Sequence, residues 1–261
     1  MTFNFEIAIP SYKRPDILRE KTLKWLMEQG VYSHQILIFL RDKEEQKIYE
    51  ESIGKAFRFH ITGQTGIDST RNYLREYYQE SELDGVLFMD DDIENINDMG
   101  NTIHQPFLNL VEDFFIETLK RKLRLFSINL CNNPFYMKDQ ITTTLRYCCG
   151  GFQGLIIDKS KPTIFCDVGH FEDFQFTMEH FLQDGGVVRF DRYGITTKNY
   201  EKKGGICENL GGLEARQKEA EVNAKYLVER YEGMCRIKMK KIGYDLRLNH
   251  CYKNILSEED I

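Results

Sequence analysis

The sequence predicts an α/β fold whose first hundred residues build a Rossmann-like, mostly parallel sheet with flanking helices. Three observations carry that expectation. Short apolar runs alternate with amphipathic stretches, each run stops at turn-forming or charged residues, and the fourth run ends in three consecutive carboxylates. Taken in order, residues 5–9 form an apolar strand closed by Pro10 and the turn-rich Ser11, Tyr12, Lys13, Arg14 and Pro15. Asp16 opens a helix with Ile17, Leu18, Leu23, Trp25 and Leu26 at roughly helical spacing. Residues 35–40 give a second strand, 44–53 a helix, 57–61 a third strand and 66–78 a second long helix. Residues 86–89 give the fourth strand. This order demands right-handed crossovers and parallel pairing, which places ligands beyond the carboxyl ends of the strands.

The second half is less regular. Helices are expected over 107–122, 174–183 and 213–231, and strands over 123–130, 154–157 and 187–191. No internal repeat or low-complexity linker divides the 261 residues. One domain over 1–261 is therefore expected, with a nucleotide-binding half over about 1–100 and an acceptor-binding half over about 101–261.

Composition sets bounds on function. With 41% hydrophobic and 29% charged residues the chain is of ordinary globular type. Nothing approaches eighteen consecutive apolar residues, so no membrane span is expected, and the N-terminus lacks the pattern of a secretory signal. Seven cysteines, odd in number and without CxxC spacing, fit reduced thiols in a cytoplasmic setting better than disulfides or a zinc site. Cys148 and Cys149 are expected to pack rather than react. A net charge of −6 means that any nucleic-acid binding must rest on a local basic patch.

The chemistry concentrates at Asp90, Asp91 and Asp92, directly after Val86, Leu87, Phe88 and Met89. Three like charges at a strand end are costly unless a cation neutralises them. Hard oxygen ligands there suit Mg²⁺ or Mn²⁺, ions that commonly bridge protein carboxylates to substrate phosphates. Further on, the Gly150 and Gly151 loop lacks bulk and would let an acceptor or sugar approach the backbone.

Four segments in order carry a resemblance: Ile9 to Arg14 (IPSYKR), Gly66 to Asn72 (GIDSTRN), the Asp90–Asp92 triplet, and Phe171, Glu172 and Asp173. Together they resemble the motifs of GT-A glycosyltransferases over roughly residues 5–200. The resemblance implies a nucleotide-sugar donor, usually a UDP-sugar. Pro10, Ser11, Tyr12 and Arg14 would cup the nucleoside, and Asp42 would accept the uracil N3–H. Arg71 would reach the diphosphate, while Asn72 holds nearby backbone. Asp92 would bind the metal and Asp90 the ribose or metal, with Asp91 also in the donor-binding set. His250 would be the third metal ligand. In inverting relatives a carboxylate at the Asp173 position removes the acceptor hydroxyl's proton, with Glu172 as understudy.

Within GT-A enzymes the same segments look most similar to phage and TET/JBP-associated glycosyltransferases, which modify 5-hydroxymethylpyrimidines in double-stranded DNA. A DNA acceptor requires a cationic track and groups to hold a flipped base. Residues 225–254 supply eight basic residues, among them Lys238, Lys240 and Lys241, against three acidic ones. Lys202 and Lys203 would extend that track, and Tyr226, Tyr231, Tyr244 and Tyr252 are interleaved. Two other readings stay open: a GT-A enzyme acting on a polysaccharide, lipid or protein glycan, and a nucleotide-sugar-binding protein without transfer activity.

Overall fold

The computed structural model describes residues 3–197, 213–239 and 243–253. The first four strands, β1 (Phe5–Pro10), β2 (Ile36–Leu40), β3 (Arg58–Ile61) and β4 (Gly85–Met89), pair in parallel in the order β3-β2-β1-β4. Each departs from its expected span by no more than a residue. Five further strands extend the sheet: β5 (Ile93–Asp98), β6 (Asn101–Thr102), β7 (Leu125–Asn129), β9 (Phe152–Ile156) and β10 (Val188–Thr197). They continue in the order β9-β7-β10-β5-β6, and the short β8 (Ile141–Thr142) pairs with β10. In this half β7 and β10 run parallel, while β9 joins β4 and β7 antiparallel.

Alternation along the strands creates two cores. Ile7 and Ile9, Ile36, Ile38 and Leu40, and Leu87 and Met89 face one layer. Ala8, Leu37 and Phe39, and Val86 and Phe88 face the other. Strands buried on both faces read as continuous apolar runs, which is why ILIF and VLFM were legible as strands.

The first layer holds α1 (Pro15–Leu18), α2 (Lys24–Glu28), α3 (Lys43–Ile53) and α5 (Phe107–Lys120) through Leu18, Leu26, Tyr49, Phe107 and Phe115. The second holds α4 (Ile67–Gln79), α6 (Glu172–Asp184) and α7 (Leu213–Arg230) through Leu74, Tyr78, Phe176, Phe181 and Leu227. A hairpin of β11 (Cys235–Met239) and β12 (Tyr244–Leu248) packs on this second layer through Cys235, Leu246 and Leu248. Gly154 is required on β9, because a Cβ there would lie 1.9 Å from the Phe126 ring.

One helix is interrupted. Between α1 and α2, residues Arg19–Leu23 form a π-helical turn. That turn presents the buried Thr22 to the acidic loop: its hydroxyl donates to the Asp90 carbonyl (2.8 Å) and accepts from the Ile93 amide (2.9 Å). Inserted π turns of this kind are frequent at functional sites.

Candidate functional site

Two clefts open beyond the carboxyl ends of the parallel strands and share Ile67, Arg71 and Asp90 as a common wall. The first is lined by Pro10, Ser11, Tyr12 and Arg14 at and beyond the end of β1, Leu40 and Arg41 at the end of β2, and Thr62, Gln64, Thr65, Gly66 and Ile67 leading into α4. Arg41 stacks on Tyr12, its guanidinium 5.1 Å from the ring centroid and its Nη1 donating to the phenol oxygen at 2.9 Å. The second cleft contains Tyr147, Gly151, Glu172, Asp173, Arg247 and His250.

Arg71 is the hinge between the two. Its Nη2 donates to Asp90 Oδ1 at 2.8 Å, and its Nη1 pairs with Glu172. Burial works against its charge, but Glu172 and then Asp90 outweigh that penalty and raise its pKa. Its path crosses the glycine loop: a Cβ on Gly150 would sit 1.6 Å from Arg71 Nη1. The missing side chain at Gly150 is therefore taken up by Arg71 rather than left for an approaching sugar. Gly151 stays in the cleft wall beside Asp90.

The three carboxylates divide. Asp90 points into both clefts with 37% of its side chain exposed. Asp91 points inward and is fully buried, bonded by Ser11 Oγ (2.5 Å) and Arg14 Nη2 (2.5 Å). It is an anchor, not a donor-binding group, and burial lifts its pKa to about 7 despite Arg14 and Ser11. Arg14 is correspondingly committed to that anchor while still lining the first cleft. Asp92 lies 3.6 Å from Arg14 Nη1, and its pKa is raised by burial and then by repulsion from Asp90.

A repelling Asp90 and Asp92 pair suits a hard divalent ion that draws its remaining ligands from a diphosphate. Among the described residues no group of three or more His, Cys, Asp or Glu side chains could hold an ion alone. His250 does not complete the set. It lines the second cleft, where Arg146, Arg247 and Arg189 all act to lower its pKa after burial does so. It shares that cleft with Asp90, but no group of three ligand side chains among the described residues joins the two with Asp92.

Asp42 is also corrected. It caps α3, accepting from the Glu44 (3.1 Å) and Glu45 (2.9 Å) amides and pairing with Arg41 at 2.7 Å. Those bonds, led by the Glu45 amide, hold its carboxyl below the usual range. Arg41, not Asp42, faces the first cleft.

At the head of α6 the two acids have different fates. Glu172 is buried between Arg71 and Arg75, with Arg75 Nη2 at 2.6 Å. Despite burial the two arginines lower its pKa, so it is a locked carboxylate and not an understudy base. Asp173 is raised to about 6 by burial and by Glu172, opposed by Arg71, by a hydrogen bond from the Tyr147 hydroxyl and by the Gly150 amide at 3.2 Å. The residue before them, Phe171, holds φ at +70°, left-handed backbone that costs a bulky residue about 1–2 kcal/mol. Such outliers cluster where geometry matters for function.

Neighbouring expectations resolve simply. Asn72 clamps backbone, exchanging bonds with the Cys166 carbonyl (2.8 Å) and amide (2.9 Å). Cys148 and Cys149 are buried, and burial pushes both thiols up to about 12. Lys238 is exposed on β11 and is not part of the cleft lining. Lys202, Lys203, Lys240 and Lys241 lie outside the described residues. Thr22, Arg41, Arg75 and Tyr147 were missed. Only Arg75 had a readable signal, standing four residues from Arg71 on one helical face.

No family model matches the chain, and no curated protein matches it. Solved structures do. The chain resembles S. aureus TarS 1-349 at 15% identity and a TM-score of 0.51, covering 87% of this chain and 66% of that one. It resembles glucosyl-3-phosphoglycerate synthase from Mycobacterium tuberculosis, solved with Mn²⁺ and UDP-glucose, at 10% identity and a TM-score of 0.53. That match covers 94% of this chain and 86% of the synthase. The fold is that of GT-A nucleotide-diphospho-sugar transferases.

Proposed function

We propose that the chain is a glycosyltransferase that moves a sugar from a UDP-sugar to an acceptor hydroxyl. The observation that carries this reading is the shared wall: Asp90 and Arg71 border the cleft of Tyr12 and Arg41 on one side and the cavity of Asp173 on the other. A donor lying across that wall puts its diphosphate at Arg71 and its sugar toward Asp173. The acceptor oxygen attacks the anomeric carbon, the bond to the diphosphate breaks with its electron pair leaving on UDP, and Asp173 takes the hydroxyl proton. One displacement inverts the anomeric centre. Asp173 suits that step because its raised pKa brings it toward operating pH, where a general base works best. Tyr147 and the Gly150 amide orient its carboxylate. Asp90 and Asp92 would hold Mn²⁺ or Mg²⁺, which when bound offsets the charge of the departing diphosphate. The synthase of like fold was solved with Mn²⁺ and UDP-glucose, which supports that pairing.

The finer reading is an acceptor in double-stranded DNA, the hydroxymethyl group of a 5-hydroxymethylpyrimidine. Its support is local. Leu130 lines the acceptor cavity, and the loop it opens carries Phe135 (82% exposed) and Tyr136 (63% exposed), side chains suited to stacking on bases. Arg236, Lys238 and Arg247 lie exposed on the β11–β12 hairpin, Arg247 in the cavity wall. A single GT-A domain, with donor and acceptor halves, belongs to the same proposal.

The test is UDP release with Mn²⁺ and a panel of UDP-sugars, comparing DNA that contains 5-hydroxymethylcytosine with unmodified DNA. Release stimulated by the modified DNA alone, with a matching mass gain on the base, is the expected result. Release indifferent to DNA but stimulated by a glycan or lipid would move the acceptor and keep the enzyme class. A nucleotide sugar that binds and never turns over would leave a binding protein.

A further inference from the structure

Two buried glycines tie together groups on both sides of the wall between the clefts. The Gly151 carbonyl accepts from the Asp90 amide at 3.1 Å, and the Gly150 amide donates to Asp173 Oδ2 at 3.2 Å. Gly150 also meets Arg71. A Cβ there would lie 1.6 Å from Arg71 Nη1, 2.5 Å from Cζ and 2.6 Å from Nη2, so the three atoms nearest to it are the head of one guanidinium. That head cannot step aside freely, because Nη2 is bonded to Asp90 Oδ1 (2.8 Å) and Nη1 to Glu172. The backbone itself does not demand glycine, since φ at Gly150 lies outside the left-handed region. Space for Arg71, not chain conformation, is what keeps a side chain out of this position.

We infer that Gly150 is a positioning residue that seats Arg71 and Asp173 against each other, so that one position aligns the donor cleft with the base. The names donor and base rest on the glycosyltransferase reading; the contacts do not. Asp173 is faced on its own helix by Glu172 and by the Phe174 amide, which donates to Oδ1 at 3.0 Å. Tyr147 and the Cys149 thiol approach it from the segment that leads into the glycines, and Arg71 from α4. Arg71, the Tyr147 hydroxyl and the Gly150 amide favour the ionised carboxylate, while burial and Glu172 oppose it. Gly150→Ala would drive the guanidinium off Glu172 and Asp90 and shift the loop amide that bonds Asp173. Two of the three supports of the ionised acid then weaken together, and Asp173 should hold its proton to higher pH.

The experiment is a double-mutant cycle on the full chain: Gly150→Ala, Arg71→Lys and the two combined, with circular dichroism to confirm folding. Lysine keeps the charge toward Glu172 and lacks the fork that fills the space beside Gly150. Two quantities are read: the titration of the Asp173 carboxyl by NMR, which needs no ligand, and the dissociation constant for UDP with Mn²⁺ by calorimetry. Gly150→Ala alone should move the titration to higher pH and weaken UDP about tenfold, the loss of a charge-assisted contact. Added to Arg71→Lys, it should change UDP binding by no more than about twofold. An unmoved titration, an unweakened affinity for UDP, or equal losses in both backgrounds would overturn the inference. Misfolding of Gly150→Ala that the combined variant cures upholds Arg71 as the obstacle, and misfolding of both overturns it. A native chain that does not bind UDP would remove the donor site, and the Asp173 titration would still decide the role of Gly150.

Discussion

Asp173 and Glu172 are adjacent acids whose environments separate their roles. Burial raises Asp173, while Arg71 and Arg75 keep Glu172 charged. The base must be ionised to accept a proton, so kcat/KM should fall as pH drops through about 6. Tyr147→Phe removes a hydrogen bond that favours the ionised form, so it should move that acid limb to higher pH. An unmoved limb in the pH profile would contradict the Tyr147 contact. Glu172→Gln leaves two buried guanidiniums without their shared carboxylate and should cost about 3–5 kcal/mol of stability in urea unfolding. The candidate acids were readable because motif order placed them at strand and helix ends. The burial of Asp91 was not, because its partners Ser11 and Arg14 lie 80 and 77 residues away. Glu172 was hidden in the same way, 101 residues from Arg71.

At the scale of elements, the acidic loop is fastened by the π-helical turn that presents Thr22. Thr22→Val keeps the shape and removes both hydrogen bonds, leaving the buried Ile93 amide without its partner. It should lower stability by about 1–3 kcal/mol in urea unfolding and weaken UDP binding, since Asp90 is held by that loop. Most apolar strands and helices were legible to within a residue or two, because burial on both faces leaves a continuous apolar run; β10 was not, running six residues past the expected 191. Nor was β5. Its residues Ile93, Glu94, Asn95, Ile96, Asn97 and Asp98 carry only two apolar side chains, yet Asn95 accepts from Trp25 Nε1 (3.0 Å) and Asp98 pairs with Arg192. Side-chain partners from distant segments satisfy a strand whose sequence alone advertises none. The β11–β12 hairpin escaped for a similar reason, since exposed Arg236 and Lys238 face away from the three residues that pack it down.

Across the whole molecule, sheet order explains why four separated motifs meet. Because β1 and β4 are neighbours, the loop after β1 and the carboxylates after β4 emerge side by side at one edge of the sheet. α4 and α6 on the second layer then bring Arg71 and Glu172 over that edge. The acidic net charge of −6 leaves any DNA contact to the hairpin and its neighbours. Binding to modified duplex should therefore weaken steeply with salt, and Arg236→Ala with Lys238→Ala should flatten that slope by about one contact each. An affinity indifferent to salt would remove DNA as the acceptor.

Asp173 is proposed to remove the acceptor proton in transfer from a UDP-sugar. Its most direct test compares Asp173→Asn with the native chain for sugar transfer and, in parallel, for UDP binding. Transfer should fall by about 10²–10⁴-fold, the usual contribution of a general base, while the dissociation constant for UDP stays within about twofold. Native transfer rates in Asp173→Asn would exclude Asp173 as the base.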